Sequence, residues 1–205
     1  MTKAEIAKKV INDSGGIAKT SEFLAAGLYK SDIGKLMNDG LLERIRHGFY
    51  QLAGNLDITE AEYLSRLIPE GIVCVESALF HYGYTDFTPR EWSIAVPRAV
   101  SQPKLKTIGV PFKAYYIQSD VYDLGKTQAD FDGTILSIYD KERTICDCFK
   151  YRTKLDNELF AKAVKAYAAD KNKNLANLIK YAKQLRVYKK VTDIMEVLLN
   201  GCLFN

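Results

Sequence analysis

The stretch GLLERIRHGFYQL, residues 40–52, decides how the head of the chain is read. His47-Gly48 suits a tight two-residue turn, because glycine reaches positive φ without a steric penalty. That turn pairs Arg46 with Phe49, Ile45 with Tyr50 and Arg44 with Gln51. Side chains alternate between the faces of a strand. The hairpin is therefore expected to turn Leu41, Ile45, Tyr50 and Leu52 toward a core and Arg44, Arg46, Phe49 and Gln51 outward. The second face suits a negatively charged partner.

Three short helices are expected ahead of this hairpin. KAEIAKKVIND, residues 3–13, places Ile6, Val10 and Ile11 on one stripe, and SGG at 14–16 stops it. KTSEFLAAG reads as a second helix with Thr20 as N-cap and Gly27 as its terminal glycine. LYKSDIGKLMNDG reads as a third, ending at Gly40. Three helices followed by a two-stranded ribbon is the order of a winged helix-turn-helix, whose second motif helix lies in the DNA major groove. At 100° per residue, Ile33, Leu36, Met37 and Gly40 fall inward, and Ser31, Lys35 and Asn38 fall opposite them. Lysine donates to guanine O6 and N7, asparagine pairs with adenine N6 and N7, and serine bonds to bases or phosphates. The expected DNA contacts are Lys19, Thr20, Ser21, Lys30, Ser31, Lys35, Asn38, Arg44, Arg46 and His47. The helix would read the sequence and the arginine hairpin would hold the backbone. The competing reading is a small helical subdomain with an ordinary solvated face.

With 205 residues, the chain has room for one large domain or two small ones. Its 47% hydrophobic and 26% charged residues are those of a folded globular protein. No run has the roughly 18 apolar residues of a membrane span, and the first ten residues lack the apolar core of a signal peptide. A cytoplasmic protein is expected. The four cysteines, Cys74, Cys146, Cys148 and Cys202, make no disulfide framework and are read as thiols. No His or Cys cluster completes a metal site with Cys146 and Cys148. The net charge of +4 is unevenly spread: +2 over residues 1–55, −5 over 56–149 and +7 over 150–205. Such a directed field steers toward a polyanion.

The composition loosens around Asn55–Thr59, so the expected domains are 1–55, a winged helix-turn-helix, and 56–205, a second domain. TEAEYLSRLIPEG is a helix; IVCVESALFHYG passes from strand to helix; EWSIAVPR and FKAYYIQ are strands around the loop SQPKLKTIGVP. GTILSIYDKERTICDCFKYR turns from strand to helix near Asp140, and three amphipathic helices follow. The fold class is α+β, with a mixed α/β C-terminal domain that ends in a helical tail. Lys180, Lys183, Lys189 and Lys190 on that tail are read as auxiliary DNA-backbone contacts.

Catalytic signatures are lacking: the sequence has no Walker loop, no GxGxxG and no HExxH. His47 sits at the wing tip, where a turn or phosphate role is expected. Glu76 and His81 would approach each other near a helix end. Asp120, Asp123, Asp130 and Asp132 are read as solvated loop carboxylates without calcium-loop spacing. Asp140 is a natural N-cap, with Arg143 a surface or inter-element contact. A nuclease-like domain would need an acidic cluster with a lysine at a strand end, and EWSIAVPR offers Glu91 without an E-x-K continuation. A one-component regulator whose second domain senses a small molecule is the third class.

The head GGIAKTSEFLAAGLYKSDIGKLMNDGLLERIRHGFYQL resembles the N-terminal winged-helix domain of the AbiEi antitoxins, from bacterial abortive-infection toxin–antitoxin pairs. VESALFHYGYTD, EWSIAVPR and IYDKERTICDCFKY resemble the same family, so the likeness covers nearly the whole chain. It implies a non-enzymatic, cofactor-free phage-defence protein with two jobs. The winged helix would bind inverted repeats in its own promoter and repress the operon. The second domain would counter a nucleotidyltransferase-type toxin as a type IV antitoxin, for which a stable complex with the toxin is not required. ESALF and DKERTICD are as readily packing and capping motifs as functional ones.

Overall fold

The computed structural model describes residues 1–55, 57–100 and 110–201, with residues 200 and 201 described by backbone alone. Cys202 and nearly all of the loop expected over 101–111 lie outside the described residues. The chain divides into two compact units, one built on Met1–Pro69 and the other on Glu70–Val100 and the residues from Pro111 onward. The division falls one helix later than the 55/56 boundary read from composition.

In the first unit, α1 (Lys3–Asp13) starts at a capping box in which the Thr2 side chain accepts from Glu5 N and the Glu5 carboxylate accepts from Thr2 N. Strand β1 (Ala18–Lys19) leads into α2 (Thr20–Ala25), and α3 (Lys30–Asn38) follows. Strands β2 (Leu42–Arg46) and β3 (Phe49–Leu52) complete a three-stranded antiparallel sheet of order β1-β3-β2. Ala7, Ile11, Phe23, Leu28, Ile33, Leu36 and Leu42 form the core between helices and sheet. The two-residue strand β1 is too short to leave an alternation pattern, and the sequence reading passed over it.

The hairpin departs from the expected register. Arg46 pairs with Phe49, but Ile45 is bulged, so Arg44 pairs with Tyr50, Glu43 with Gln51 and Leu42 with Leu52. Without the bulge, Glu43 would stand opposite Leu52 on the core face. The extra residue instead pairs two leucines inward and spares the carboxylate a costly desolvation. Gln51, expected outside, is buried; it donates to the Glu43 carboxylate and accepts from the Tyr63 hydroxyl.

Tyr63 belongs to α4 (Glu60–Leu67), which a second capping box, Thr59 with Glu62, begins. This helix is stapled to the sheet and to α2. Arg66 donates twice to the Ile17 carbonyl, at 3.1 and 2.8 Å, and pairs with the Glu22 carboxylate at 3.1 Å.

The second unit is α+β. Its five strands are β4 (Ile72–Val73), β5 (Trp92–Pro97), β6 (Phe112–Ile117), β7 (Lys126–Phe131) and β8 (Thr134–Tyr139), in the order β6-β5-β4-β8-β7. Pairs β5–β6 and β4–β8 are parallel; β4–β5 and β7–β8 are antiparallel. Strand β7 is polar and exposed, which hid it from a hydrophobic-pattern reading, and it takes up Asp130. Asp132 lies in the β7–β8 turn at φ 52°, and Asp120 in a single 3₁₀ turn. Helix α5 (Val75–His81) follows β4, and α6 (Lys141–Lys150) follows β8. Helices α7 (Asn157–Ala169), α8 (Leu175–Gln184) and α9 (Tyr188–Gly201) pack over the same core, through Phe160, Val164, Tyr167, Leu178, Val191 and Met195.

Helix α6 carries DKERTICD and explains it as architecture. Asp140 caps the helix by accepting from Arg143 N at 2.7 Å. Arg143 itself is fully buried, not a surface group. Its guanidinium pairs with Asp147 one turn on, at 3.1 Å, and donates to the carbonyls of Val121 and Leu124 at 2.6 and 2.9 Å. Gly125 lies beneath it at φ 73°, and a Cβ there would come within 2.6 Å of Arg143 Cβ.

Candidate nucleic-acid interface

The expected reading helix has the expected faces. Ile33 and Leu36 are buried, while Lys30, Ser31, Lys35 and Asn38 are exposed. Gly40 does not pack inward; it is exposed at φ 72° just past the helix end. What holds α3 in place is Asp32, a buried carboxylate that accepts from Lys3 Nζ of α1 at 2.6 Å and from Tyr29 N at 3.0 Å. Those two bonds, the lysine's first, hold the Asp32 carboxyl below its ordinary range. The start of α3 is thus fixed to α1 by a charge-assisted link.

Helix α2 begins one residue earlier than its sequence suggested. Lys19, not Thr20, is the N-cap residue, and its N–H donates to the Glu22 carboxylate at 2.6 Å. Thr20 N donates to the Gly48 carbonyl at 2.9 Å, which pins the wing turn to the start of α2. Gly48 sits at φ 80°, as the tight turn requires. Ser21 is exposed beside it.

On the wing, Arg44 and His47 are exposed, and Arg44 Nη2 donates to His47 Nδ1 at 3.1 Å across the turn. Arg46 is placed differently. Its guanidinium lies 4.2 Å from the centroid of Phe49 and donates to the Leu67 carbonyl at 2.7 Å. It closes the end of α4 onto the hairpin. Lys19 Nζ lies 5.7 Å from the same Phe49 ring. The first unit therefore gathers all ten expected residues, with Arg46 committed to an internal contact and Thr20 to the wing turn.

One exposed aromatic of the first unit was not singled out in the sequence. Tyr29, immediately before α3, is 72% exposed. The signal lay in Leu28-Tyr29: Leu28 is only 2% exposed, and the residue leaving the core next to it opens onto solvent.

Lys180, Lys183, Lys189 and Lys190 belong to α8 and α9 of the second unit, where all four are exposed. Lys183 lies 5.2 Å from the Tyr188 ring centroid.

The remaining chemistry-bearing residues of the second unit are committed to local contacts. Glu76 accepts from Ser93 Oγ at 2.7 Å, Tyr115 OH at 2.9 Å and Lys113 Nζ at 3.1 Å. Burial alone would raise its carboxyl; the hydrogen bonds and the lysine outweigh burial and hold it low. Glu76, Ser93 and Lys113 border a cavity of about 400 Å³ that Phe87, Pro89, Arg90 and Leu159 also line. His81, at the other end of α5, stacks 4.7 Å from Phe131 instead of meeting Glu76, and burial lowers its pKa. Cys74, Cys146 and Cys148 are buried thiols whose pKa values burial pushes up. Among the described residues, no group of three or more His, Cys, Asp or Glu side chains is placed to hold a metal ion, and no helix is long and apolar enough to cross a membrane.

Residues 5–53 match the family model described as transcriptional regulator, AbiEi antitoxin. No curated protein sequence matches the chain. Among solved structures, the chain is similar to the crystal structure of the RV2827C protein from Mycobacterium tuberculosis, at 16% identity and a TM-score of 0.60. That likeness covers 95% of this chain and 80% of the other, and it is one of fold.

Proposed function

We propose that this chain, an AbiEi-type regulator over residues 5–53, reads duplex DNA with the exposed face of α3 and grips the backbone with its wing. The carrying observation is the strip Ser31, Lys35 and Asn38, opposite a buried Ile33 and Leu36 and beside the exposed Arg44 and His47. The strip supplies base-edge donors and acceptors, and the wing supplies positive charge. The site is an inverted repeat in the promoter of the protein's own operon, which binding represses. The part of the chain after Pro69 counters a nucleotidyltransferase-type toxin in the cytoplasm, without requiring a stable complex. The likeness of VESALFHYGYTD, EWSIAVPR and IYDKERTICDCFKY to AbiEi antitoxins supports this half of the reading.

The test is anisotropy of the intact chain on a duplex from its own promoter and on a scrambled duplex, over a salt series. Preference for the promoter is expected, with log affinity falling by about 0.9 per neutralised phosphate for each unit of log salt. Equal affinity for both duplexes, or a flat salt response, rejects it. Co-expression with the neighbouring nucleotidyltransferase-type gene tests the antitoxin half, with restored growth expected.

A one-component sensor is the second reading, and the cavity beside Glu76 and Lys113 favours it. It expects a low-molecular-weight cell extract to release promoter DNA from the chain with no toxin present. It ranks second because Glu76, beside the cavity, is already bonded to Ser93 and Lys113.

A further inference from the structure

We infer that Tyr29 determines one base of the recognised site, by seating its ring against the 5-methyl group of a thymine in the major groove. The inference rests on the DNA-reading role proposed for α3 and adds a residue and a base to it.

Tyr29 is 72% exposed, yet its main chain is firmly held. Its N–H donates to the Asp32 carboxylate at 3.0 Å, and its carbonyl accepts from Asp32 N at 2.9 Å and Ile33 N at 3.2 Å. Asp32 is anchored in turn by Lys3. The ring and hydroxyl make no hydrogen bond or ring contact among the described residues, and the core of this unit does not include them. The fold thus keeps a large aromatic in water on a rigid base. An aromatic with two side-chain torsions orders at low entropic cost when a partner arrives.

Its neighbours identify the partner. Tyr29 is the N-cap of α3; Lys30 and Ser31 follow directly, and Ser31, Lys35 and Asn38 form the exposed face of that helix. Residues at the leading end of a recognition helix are those that meet base edges. Phosphate contacts are already provided for by cations: Lys19 and Lys30 by the helices, Arg44 on the wing. Tyr29 carries no charge, and its exposed surface is mostly ring. The one apolar group that a base pair presents in the major groove is the thymine methyl. An aromatic ring exposed at the leading end of the helix would add the contact that serine, lysine and asparagine lack.

The experiment uses the full chain. A preferred duplex is selected from a random-sequence library. Each thymine in it is then replaced singly by uracil, which removes only the methyl. Wild type, Tyr29→Phe and Tyr29→Ala are titrated on every duplex and on a random duplex at one salt concentration. One uracil replacement is expected to weaken wild type and Tyr29→Phe by roughly three- to tenfold, the worth of a buried methyl contact. Tyr29→Ala is expected to bind the thymine duplex as weakly as wild type binds that uracil duplex, and to be indifferent to the replacement. Binding to random DNA should stay unchanged. The inference is overturned if Tyr29→Ala remains sensitive to every replacement that wild type senses. It is equally overturned if Tyr29→Ala loses affinity for selected and random DNA alike, or if Tyr29→Phe matches Tyr29→Ala, since either result assigns the contact to the backbone. A Lys35→Ala control separates the two levels. If that variant loses discrimination while Tyr29→Ala does not, only this inference falls. If no duplex is preferred at all, the reading role of α3 falls with it.

Discussion

Arg44 and Arg46 are two positions apart on one strand and have opposite fates. Arg44 stands at the solvent edge of the wing; Arg46 closes α4 through the Leu67 carbonyl. Period-two alternation made them equivalent. What separates them is the bulge at Ile45, which arises because Glu43 would otherwise enter the core. The strip on α3 was legible because a helix that buries Ile33 and Leu36 must expose Ser31, Lys35 and Asn38. The hairpin faces were not, because a one-residue bulge reverses them and no local pattern announces it. Lys35→Ala or Asn38→Ala is expected to cost about 1–3 kcal/mol of discrimination between promoter and random duplex. Arg44→Ala should weaken both equally. Arg46→Ala should speed hydrogen exchange in residues 42–52 and 60–69, an effect that an exposed phosphate contact would not produce. At Arg143 the expected outcome is a loss of stability. Arg143→Ala leaves Asp147 buried without its ion-pair partner and strands two carbonyls, at a cost of about 3–5 kcal/mol. Trp92, the sole tryptophan, lies in β5 of the same unit, so its fluorescence in a urea titration measures that loss.

At the scale of elements, the sequence revealed the helices best. Helix α4 begins after Thr59 because Thr59 and Glu62 cap it, and α6 begins after Asp140 because that side chain caps it. Ownership was harder to see. Helix α4 follows a loosened segment and reads as the start of the second domain, yet Arg66, Tyr63 and the Leu67 carbonyl bind it to the head. Such attachments depend on long-range partners, forty-nine residues apart for Arg66 and Ile17, which no window of sequence contains. A similar long-range joint carries a pH dependence. Asp170, at the end of α7, accepts from Lys141 Nζ at 2.7 Å and from Tyr84 OH at 2.6 Å. The lysine first, then the tyrosine and the Asn172 backbone N–H, hold its carboxyl well below the usual range near 3.9. A carboxyl with a depressed folded pKa stabilises the fold above its unfolded pKa and loses that contribution as the pH falls toward its folded one. The stability gap between wild type and Asp170→Asn should therefore be full at pH 6 and shrink steadily below about pH 4. Urea midpoints followed by Trp92 fluorescence at pH 6, 4 and 3 check the sign; a gap that widens in acid contradicts it.

For the whole molecule, the question is which half holds which activity. The basic excess of residues 150–205 suggested that Lys180, Lys183, Lys189 and Lys190 assist DNA binding, and all four are exposed. If they contact phosphate, changing all four to alanine lowers the slope of log affinity against log salt by up to about 0.9 for each contact removed. An unchanged slope assigns them to solvation of α8 and α9.

The last expectation is that DNA reading and antitoxic activity separate within one intact chain. The proposed reading face, Ser31, Lys35, Asn38 and Arg44, lies wholly within Met1–Pro69, a unit with its own core. The second unit has another core and its own buried ion pair, Arg143–Asp147. Cutting the chain at residue 55 would strip the head of α4 and remove the Leu67 carbonyl from Arg46 and the Tyr63 hydroxyl from Gln51, so a fragment is a poor instrument. Substitution is a better one. Lys35, Asn38 and Arg44 are exposed, and changing all three to alanine should leave both cores intact. The triple variant is expected to lose repression of a promoter–reporter fusion and still restore growth against the nucleotidyltransferase-type toxin. Wild-type Trp92 fluorescence and wild-type exchange rates in residues 1–69 would show that it is folded. A folded variant that loses both activities means that the antitoxic effect works through DNA, for instance by silencing the toxin gene, and the assignment of a separate activity to the second unit fails. Retained repression would instead move the reading surface off α3 and the wing.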